Sequence, residues 1–237
     1  MKNTSELIKE LSKISTPIVY DAIEKYGIRD RCEGYTDSSI KCILPSLGNL
    51  CGYACTSKIV GVLPRAERER TISFKDVWRY VEGSQKPSVM VVQDLDDEPR
   101  RACAWGDFSA SIFKALGCNG AVTNGYVRDI HDVMEIGFQL YASGTIAGHG
   151  NIRFIEIDTP VKVGGLVINP GDIIHADVHG VITIPKEIPL EGLIDMINKC
   201  LESEAKVISY CNSPGFTLEG LSKEFDAYKK RAGGHFK

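Results

Sequence analysis

The sequence predicts an α/β protein with additional helices at both ends. Helical and strand periodicities alternate through the first part of the chain, the pattern becomes entirely β from Ile152, and amphipathic segments lie near both termini. We expect one domain over residues 1–237, with its core at about residues 10–190 and a helical extension at about residues 190–237.

Composition and charge narrow the class of protein. With 43% apolar and 25% charged residues and a net charge of −3, the chain resembles an ordinary globular protein and has no general attraction for nucleic acid. The N-terminal segment lacks the apolar centre of a signal peptide, and no apolar run reaches the roughly 18 residues of a membrane span. We expect a soluble, cytoplasmic protein without a nucleic-acid or membrane partner.

The eight cysteines include no Cys-x-x-Cys pair. Without an export signal, this predicts reduced and mostly buried thiols rather than disulfides. A zinc ion shared by Cys51 and Cys55 is disfavoured because no second pair completes four ligands.

Helical spacing of apolar residues at positions 5–25, broken at Thr16-Pro17, predicts two consecutive helices, the second capped by Thr16 with Pro17 at its first position. Positions 53–62 and 88–94 are predicted strands, with a helix from Phe74 to Val81 between them. We interpret the charge run at positions 65–70 as a solvated loop or helix start.

The alternation continues along the chain. Helices are predicted at 108–116 and 130–136, and strands at 120–124 and 139–143. Short β segments separated by Gly and Pro turns follow from Ile152, and we expect them to close a barrel or sandwich against the first half. Helices are predicted at 190–205 and 222–231.

One segment holds the residues that are suited to ligand binding or catalysis. Gly106 to Ala110 opens a predicted helix, whose free N–H groups would face a bound anion such as a carboxylate. Asn124-Gly125 ends a buried strand, where open α/β sheets place ligands, and Arg128-Asp129 follows.

These residue types suit carbon–carbon cleavage beside a carbonyl group. Arg128 offers a planar donor fork for a carboxylate or enolate oxygen, and Asp129 offers a hard ligand for Mg²⁺ or a similar ion. Asp107 could hold or deprotonate a water or hydroxyl group. Each residue also fits a simpler role, because Arg128 and Asp129 could form a surface ion pair and Asp107 could cap its helix.

Asp107, twenty intervening residues and then Arg128-Asp129 resemble the Asp-x20-Arg-Asp signature of the RraA-like family, which includes 4-hydroxy-4-methyl-2-oxoglutarate/4-carboxy-4-hydroxy-2-oxoadipate aldolases. The resemblance extends through the stretch VKVGGLVINPGD from Val161 to Asp172 and covers roughly residues 10 to 190.

The resemblance implies a swivelling β/β/α fold, assembled as a trimer or hexamer with sites at subunit interfaces. It implies that the backbone of Gly106, Asp107, Phe108 and Ser109 binds a pyruvyl carboxylate and that Arg128 binds the substrate oxygen. Asp129 would bind Mg²⁺ or Mn²⁺ largely through added waters, and Asp107 would position a water that protonates the enolate. Asp132 is a candidate partner of the metal's waters.

Two segments depart from the family pattern. Phe108 and Ser109 replace the usual aliphatic pair, so the pocket wall can differ. The late turn, usually Gly-Asp-x-Asp-Gly, reads Ala-Asp-Val-His-Gly here at positions 176–180. His175, Asp177 and His179 would share one face of an extended strand, which raises the hypothesis of a second metal site. His131 and His149 are interpreted as structural residues or as residues beyond the metal's direct ligands, and His235 lies in the tail.

The sequence thus predicts a metal-dependent lyase that cleaves a 4-hydroxy-2-oxo acid to pyruvate and could also decarboxylate oxaloacetate. The alternative is a non-catalytic regulator that binds a ribonuclease, but relatives of that kind can lack the first acid of the signature, which Asp107 supplies here. Methyl transfer to a quinone is disfavoured because no Gly-x-Gly-x-x-Gly loop follows a strand.

Overall fold

The computed structural model describes residues 3–62, 71–97 and 101–231. The charge run at 65–70 and His235 lie outside these residues. No helix of the described ranges is long and apolar enough to cross a membrane.

The described residues form helices and short strands that alternate along the chain. The helices are α1 (Thr4–Leu11), α2 (Thr16–Glu24), α3 (Phe74–Glu82), α4 (Asp107–Ala115), α5 (Ile130–Ile136), α6 (Leu190–Cys211) and α7 (Leu218–Arg231). The strands are β1 (Lys41–Cys42), β2 (Leu50–Val60), β3 (Ser88–Asp94), β4 (Cys103–Trp105), β5 (Cys118–Thr123), β6 (Tyr126–Val127), β7 (Gln139–Ala142), β8 (Gly144–Thr145), β9 (Arg153–Ile157), β10 (Val161–Val163), β11 (Leu166–Ile168), β12 (Ile173–Asp177) and β13 (Gly180–Ile184).

The predicted α/β architecture with flanking helices is confirmed. Strands β2, β3, β5 and β7 form a parallel centre, and β9 and β12 pair antiparallel with β2 in one nearly closed sheet. The strands after Ile152 therefore mostly extend the sheet of the first half, while β10 and β11 form a separate hairpin. Strands β4, β6 and β8 form a small parallel sheet that no sequence pattern predicts.

The centre of the main sheet is buried on both faces, as parallel strands usually are. On β3, Met90 and Val92 pack into a core with helix residues Val77 and Phe113, whereas Val89 and Val91 pack towards the β10–β11 hairpin. A third core joins α1, α2 and α6 to the end of the sheet at β13. Helices thus pack on one face of the main sheet, and the β10–β11 hairpin packs on the other.

One local prediction is wrong. Thr16 is not the cap of α2, because Ser15 occupies the cap position and Thr16 is already helical, although a proline does lie at the helix start as predicted. The buried Thr16 hydroxyl instead lies 2.9 Å from Nδ1 of His175 on β12. The residue therefore ties the helix to the sheet.

The cysteines agree with the sequence prediction. All eight are free, and five of them are buried.

Candidate active site

The small parallel sheet brings the two parts of the signature together. Strand β4 ends at Trp105 and pairs with β6, which ends at Val127, and the Arg128 N–H donates to the Trp105 carbonyl at 2.9 Å. Because both strands end at the same edge, Gly106 and Arg128 become neighbours. The strand before Arg128 is therefore β6, whereas the predicted strand ending at Asn124 belongs to the main sheet.

Helix α4 begins at this edge. Gly106 is its N-cap and supplies no side-chain cap, and the first helical bond runs from the Ala110 N–H to the Gly106 carbonyl at 2.9 Å. The N–H groups of Asp107, Phe108 and Ser109 precede that bond and have no partner within the helix. Together with the positive end of the helix dipole, they suit a carboxylate ligand.

Asp129 adopts an unusual backbone conformation at the start of α5. Its φ of 53° and ψ of 43° lie in the left-handed region, which Asp tolerates better than most residues. Asp129 occupies the N-cap position but makes no capping hydrogen bond, and its Oδ2 instead lies 3.2 Å from Nε of Arg128. The carboxylate is thus directed away from the helix it precedes and towards the guanidinium.

Gly106 permits this arrangement because it has no side chain. A Cβ at this position would lie 2.3 Å from Oδ2 of Asp129 and 3.3 Å from Nε of Arg128. The extended backbone of Gly106 is not strained, so the constraint is space rather than conformation.

Asp107, Arg128 and Asp129 line one cavity of about 370 Å³. Gly106, Phe108 and Ser109 line it too, so all six residues assigned to the substrate and metal in the sequence analysis converge. Arg128 and Asp129 keep 35% and 31% of their side-chain surface exposed, which leaves both groups accessible to a ligand. The Asp107 carboxylate is exposed and accepts no hydrogen bond from the described residues.

Asp132 and His131 do not belong to this lining. Both are exposed on α5, one helical turn or less beyond Asp129. Asp132 as a partner of metal-bound waters therefore stays a prediction.

An aromatic wall that the sequence does not predict forms another part of the cavity. Phe74 of α3 and Phe154 of β9 meet edge to face with ring centroids 5.4 Å apart, and both line the cavity. Phe74 lies in the helix that its spacing predicts, and 49% of it is exposed. Phe108 is 74% exposed and adds a third ring.

Cys103 on β4 contributes a buried thiol to the lining. Its Sγ lies 3.3 Å from the Trp105 carbonyl, and burial raises the pKa of the thiol to about 11. The thiol is therefore protonated at neutral pH and is not a metal ligand or nucleophile in this state.

A divalent cation fits this donor set only with water ligands. No group of three or more His, Cys, Asp or Glu side chains in the described part of the chain could hold a metal ion. Asp129 is the accessible carboxylate beside Arg128, and hard ions such as Mg²⁺ commonly bind one or two carboxylates and keep several waters. Asp129 would hold the ion, and Asp107 could bind one of its waters.

The hypothesis of a second metal site on β12 is wrong. His175 is buried, with Nδ1 2.9 Å from the Thr16 hydroxyl and Nε2 2.9 Å from the Leu11 carbonyl, so neither nitrogen is available. Asp177 accepts from the N–H groups of Thr16 and His179, both at 2.8 Å. These residues form a structural hydrogen-bond network instead.

The family can be assigned from the sequence itself. The model of the RraA-like family (Aldolase/RraA) matches residues 16–183, and the chain belongs to this family.

Two sequence relatives match different shares of the chain. Protein DlpA of Legionella pneumophila is 28% identical over 224 residues, which cover 92% of this chain but 34% of DlpA. A Halalkalibacterium halodurans protein named "Putative 4-hydroxy-4-methyl-2-oxoglutarate aldolase" is 38% identical over 101 residues, covering 42% of this chain and 48% of that protein. The chain thus spans about a third of DlpA and about half of the Halalkalibacterium protein.

Streptomyces coelicolor RraAS2, described as an unusual member of the RNase ES inhibitor RraA protein family, shares the fold. It superposes with a TM-score of 0.63 at 24% identity, over 86% of this chain and 94% of RraAS2. At this identity the likeness supports the fold alone.

Proposed function

We propose that the protein is a divalent-metal-dependent carbon–carbon lyase that cleaves a 4-hydroxy-2-oxo acid to pyruvate and decarboxylates oxaloacetate at the same site. The observation that supports this proposal is the convergence of Asp107, Arg128 and Asp129 on one cavity next to an uncapped helix start. Both reactions pass through the enolate of pyruvate, so one arrangement of donors serves them both.

The helix start binds the substrate carboxylate. The N–H groups of Asp107, Phe108 and Ser109 donate to its oxygens, and Arg128 donates to the 2-oxo oxygen. Negative charge accumulates on that oxygen as the bond between C3 and C4 breaks. A fixed guanidinium therefore stabilises the transition state more than the ground state.

Asp129 would hold the cation, with water completing its coordination. When bound, such an ion supplies Lewis-acid polarisation of the 2-oxo group. The Asp107 carboxylate accepts no hydrogen bond from the described residues, so it is available to hold the water that delivers a proton to C3 of the enolate.

A panel of 2-oxo acids tests the proposal. We expect pyruvate release from 4-hydroxy-4-methyl-2-oxoglutarate and from oxaloacetate, its loss with EDTA and its return with Mg²⁺. Asp129→Asn should lower kcat/KM at least about 100-fold, because the neutral amide is a weaker ligand for a hard cation. The measurement is pyruvate formation coupled to lactate dehydrogenase.

Glu135→Gln is the matched control, since Glu135 is an exposed acid of α5 outside the cavity lining and should leave the rate unchanged. Full activity of Asp129→Asn would contradict the proposed metal ligand. No turnover of any 2-oxo acid, together with stoichiometric recovery of a ribonuclease in a pull-down, would instead support the regulatory alternative.

A further inference from the structure

His149 lies in the loop between β8 and β9 and lines the same cavity as Arg128 and Asp129. Its Nδ1 is 2.7 Å from the Gly150 carbonyl oxygen. A carbonyl can only accept a hydrogen bond, so Nδ1 carries the proton and Nε2 of the neutral ring keeps its lone pair. Nε2 has no hydrogen-bond partner within residues 3–62, 71–97 and 101–231.

The backbone around His149 is held in place from both sides. Its carbonyl accepts from the Cys103 N–H at 3.3 Å, and the Asn151 N–H donates to the Gly61 carbonyl at 2.7 Å. Gly150 has a φ of +65°, and a Cβ there would lie 2.8 Å from the Arg101 carbonyl oxygen. The loop is thus fixed against β4 and the end of β2, which positions the imidazole relative to the cavity.

The other proton acceptors of the described lining are already assigned. Asp107 is placed to serve C3 of the enolate, Asp129 to hold the cation, and the Cys103 thiol is buried and protonated. Arg128 has no lone pair to offer. Aldol cleavage needs one more group, because the C4 hydroxyl must lose its proton as the C3–C4 bond breaks.

We propose that His149 is the general base for that hydroxyl, an inference that rests on the proposed lyase function. Nε2 takes the proton, the C4–O bond becomes a carbonyl, and the electron pair of the C3–C4 bond moves into the enolate at C2–C3. The enolate then receives a proton at C3 through the Asp107-held water, and His149 returns its proton to solvent. Imidazole is the side chain most often used for such a transfer.

Two reactions at the same site separate this role from a structural one. Cleavage of 4-hydroxy-4-methyl-2-oxoglutarate requires deprotonation of the hydroxyl, whereas hydrogen–deuterium exchange at the methyl group of pyruvate forms the same enolate without a hydroxyl. In His149→Gln with Mg²⁺ present, we expect cleavage to fall about 10²–10⁴-fold. Exchange, followed by proton NMR in D₂O, should stay within about threefold of wild type.

His131→Gln is the matched control, because His131 is exposed and lies outside the cavity lining. His149→Ala serves as a second variant, and it should show the same split between the two reactions. Unchanged cleavage in His149→Gln, or equal loss of cleavage and exchange in both variants, would overturn the role of His149 while leaving the lyase proposal intact. A wild-type protein that catalyses neither reaction would overturn the lyase proposal and this inference with it.

Discussion

Gly106 is the residue on which the geometry of the candidate site depends most directly. Its missing side chain leaves the space in which the Asp129 carboxylate meets the Arg128 guanidinium. Asp129 in turn accepts a left-handed backbone conformation without capping α5. A left-handed residue that makes no capping hydrogen bond has a cost in an ordinary loop, and its position at the cavity is typical of a functional site.

Gly106→Ala is expected to lower the rate of pyruvate release strongly without unfolding the protein. The added methyl group would lie 2.3 Å from Oδ2 of Asp129, so the carboxylate must move. We expect a loss in kcat/KM of about 100-fold or more, as misplacement of a catalytic group by about 1 Å commonly causes. Pyruvate formation and circular dichroism measure the two effects.

Gly215→Ala is the control for this substitution, because no atom lies within 4 Å of the position a Cβ would take there. It should leave the activity unchanged. An active Gly106→Ala enzyme would show that the close approach of Asp129 is not required.

The sequence predicts some residues of the site better than others. Asp107, Arg128 and Asp129 could be predicted because helix starts and strand ends present charged residues at defined places, and because their spacing resembles a known family. His149 and Phe154 could not be assigned to the cavity, since they come from a distant loop and strand whose packing no local pattern encodes. The helical spacing of Phe74 predicts its place in α3 but not its position in the cavity wall.

At the scale of elements, α2 is joined to β12 by a buried hydrogen-bond network. His175 donates from Nε2 to the Leu11 carbonyl, so its Nδ1 accepts from the Thr16 hydroxyl, and the ring is neutral. Burial lowers the pKa of His175 below its ordinary value of 6.5. Thr16 also donates its N–H to Asp177, so one residue at the start of α2 contacts two residues of β12.

Acidification is expected to destabilise the protein through His175. Below about pH 6.5 the unfolded chain binds a proton that the folded chain does not, so the free energy of unfolding falls until the lowered folded pKa is reached. Between these two pKa values, the free energy of unfolding falls by up to about 1.4 kcal/mol for each pH unit of acidification. Urea unfolding at pH 7.5, 6.5 and 5.5 measures it.

His175→Gln should be less stable at pH 7.5 but should show a flatter dependence on pH, because the titrating group is gone. His131→Gln, which removes an exposed histidine, should keep the wild-type slope. Parallel slopes for wild type and His175→Gln would contradict a neutral buried imidazole.

Elements long enough to show an apolar period could be predicted, whereas strands of two or three residues could not. Helix α5 and strand β3 have the predicted bounds, because their apolar residues repeat over two turns or along a buried strand. The strands β4, β6 and β8 contain only two or three residues each, too few for a period to emerge. They exist because tertiary packing aligns them, for example through the buried Trp105 against Phe138 at a centroid distance of 5.4 Å.

At the scale of the whole molecule, the two C-terminal helices contribute differently to stability. Leu193, Ile194 and Ile197 of α6 are buried in the core that includes α1, α2 and β13. Helix α7 has no buried residue. The main stabilisation from the C-terminal region should therefore come from α6.

Leu193→Ala is expected to lower the free energy of unfolding by about 2–5 kcal/mol, because it leaves a cavity in a closed core. Removal of residues 214–237 should change it by roughly 1 kcal/mol or less, since α7 has no buried residue. Urea denaturation of both variants at one pH makes the comparison. A truncation that destabilises as much as Leu193→Ala would show that α7 supports the core.

The overall class of fold could be predicted from the alternation of elements and from the resemblance of the Asp107 to Asp129 segment. The strand order could not, because the paired residues of β9 and β2 are 93 to 100 positions apart in sequence and those of β12 and β2 are 120 to 126 apart. Such pairings depend on loop closure and on which apolar faces pack together, and a local sequence pattern predicts neither.

Burial of the Cys103 thiol should make this side chain a poor target for electrophiles. Alkylating reagents and peroxide attack the thiolate, which a thiol with a pKa of about 11 scarcely populates at neutral pH. Cys32 and Cys211, by contrast, are exposed on the surface and do not line the cavity. A fluorescent reporter or a tether can therefore be attached through maleimide chemistry while the reaction centre keeps its native composition.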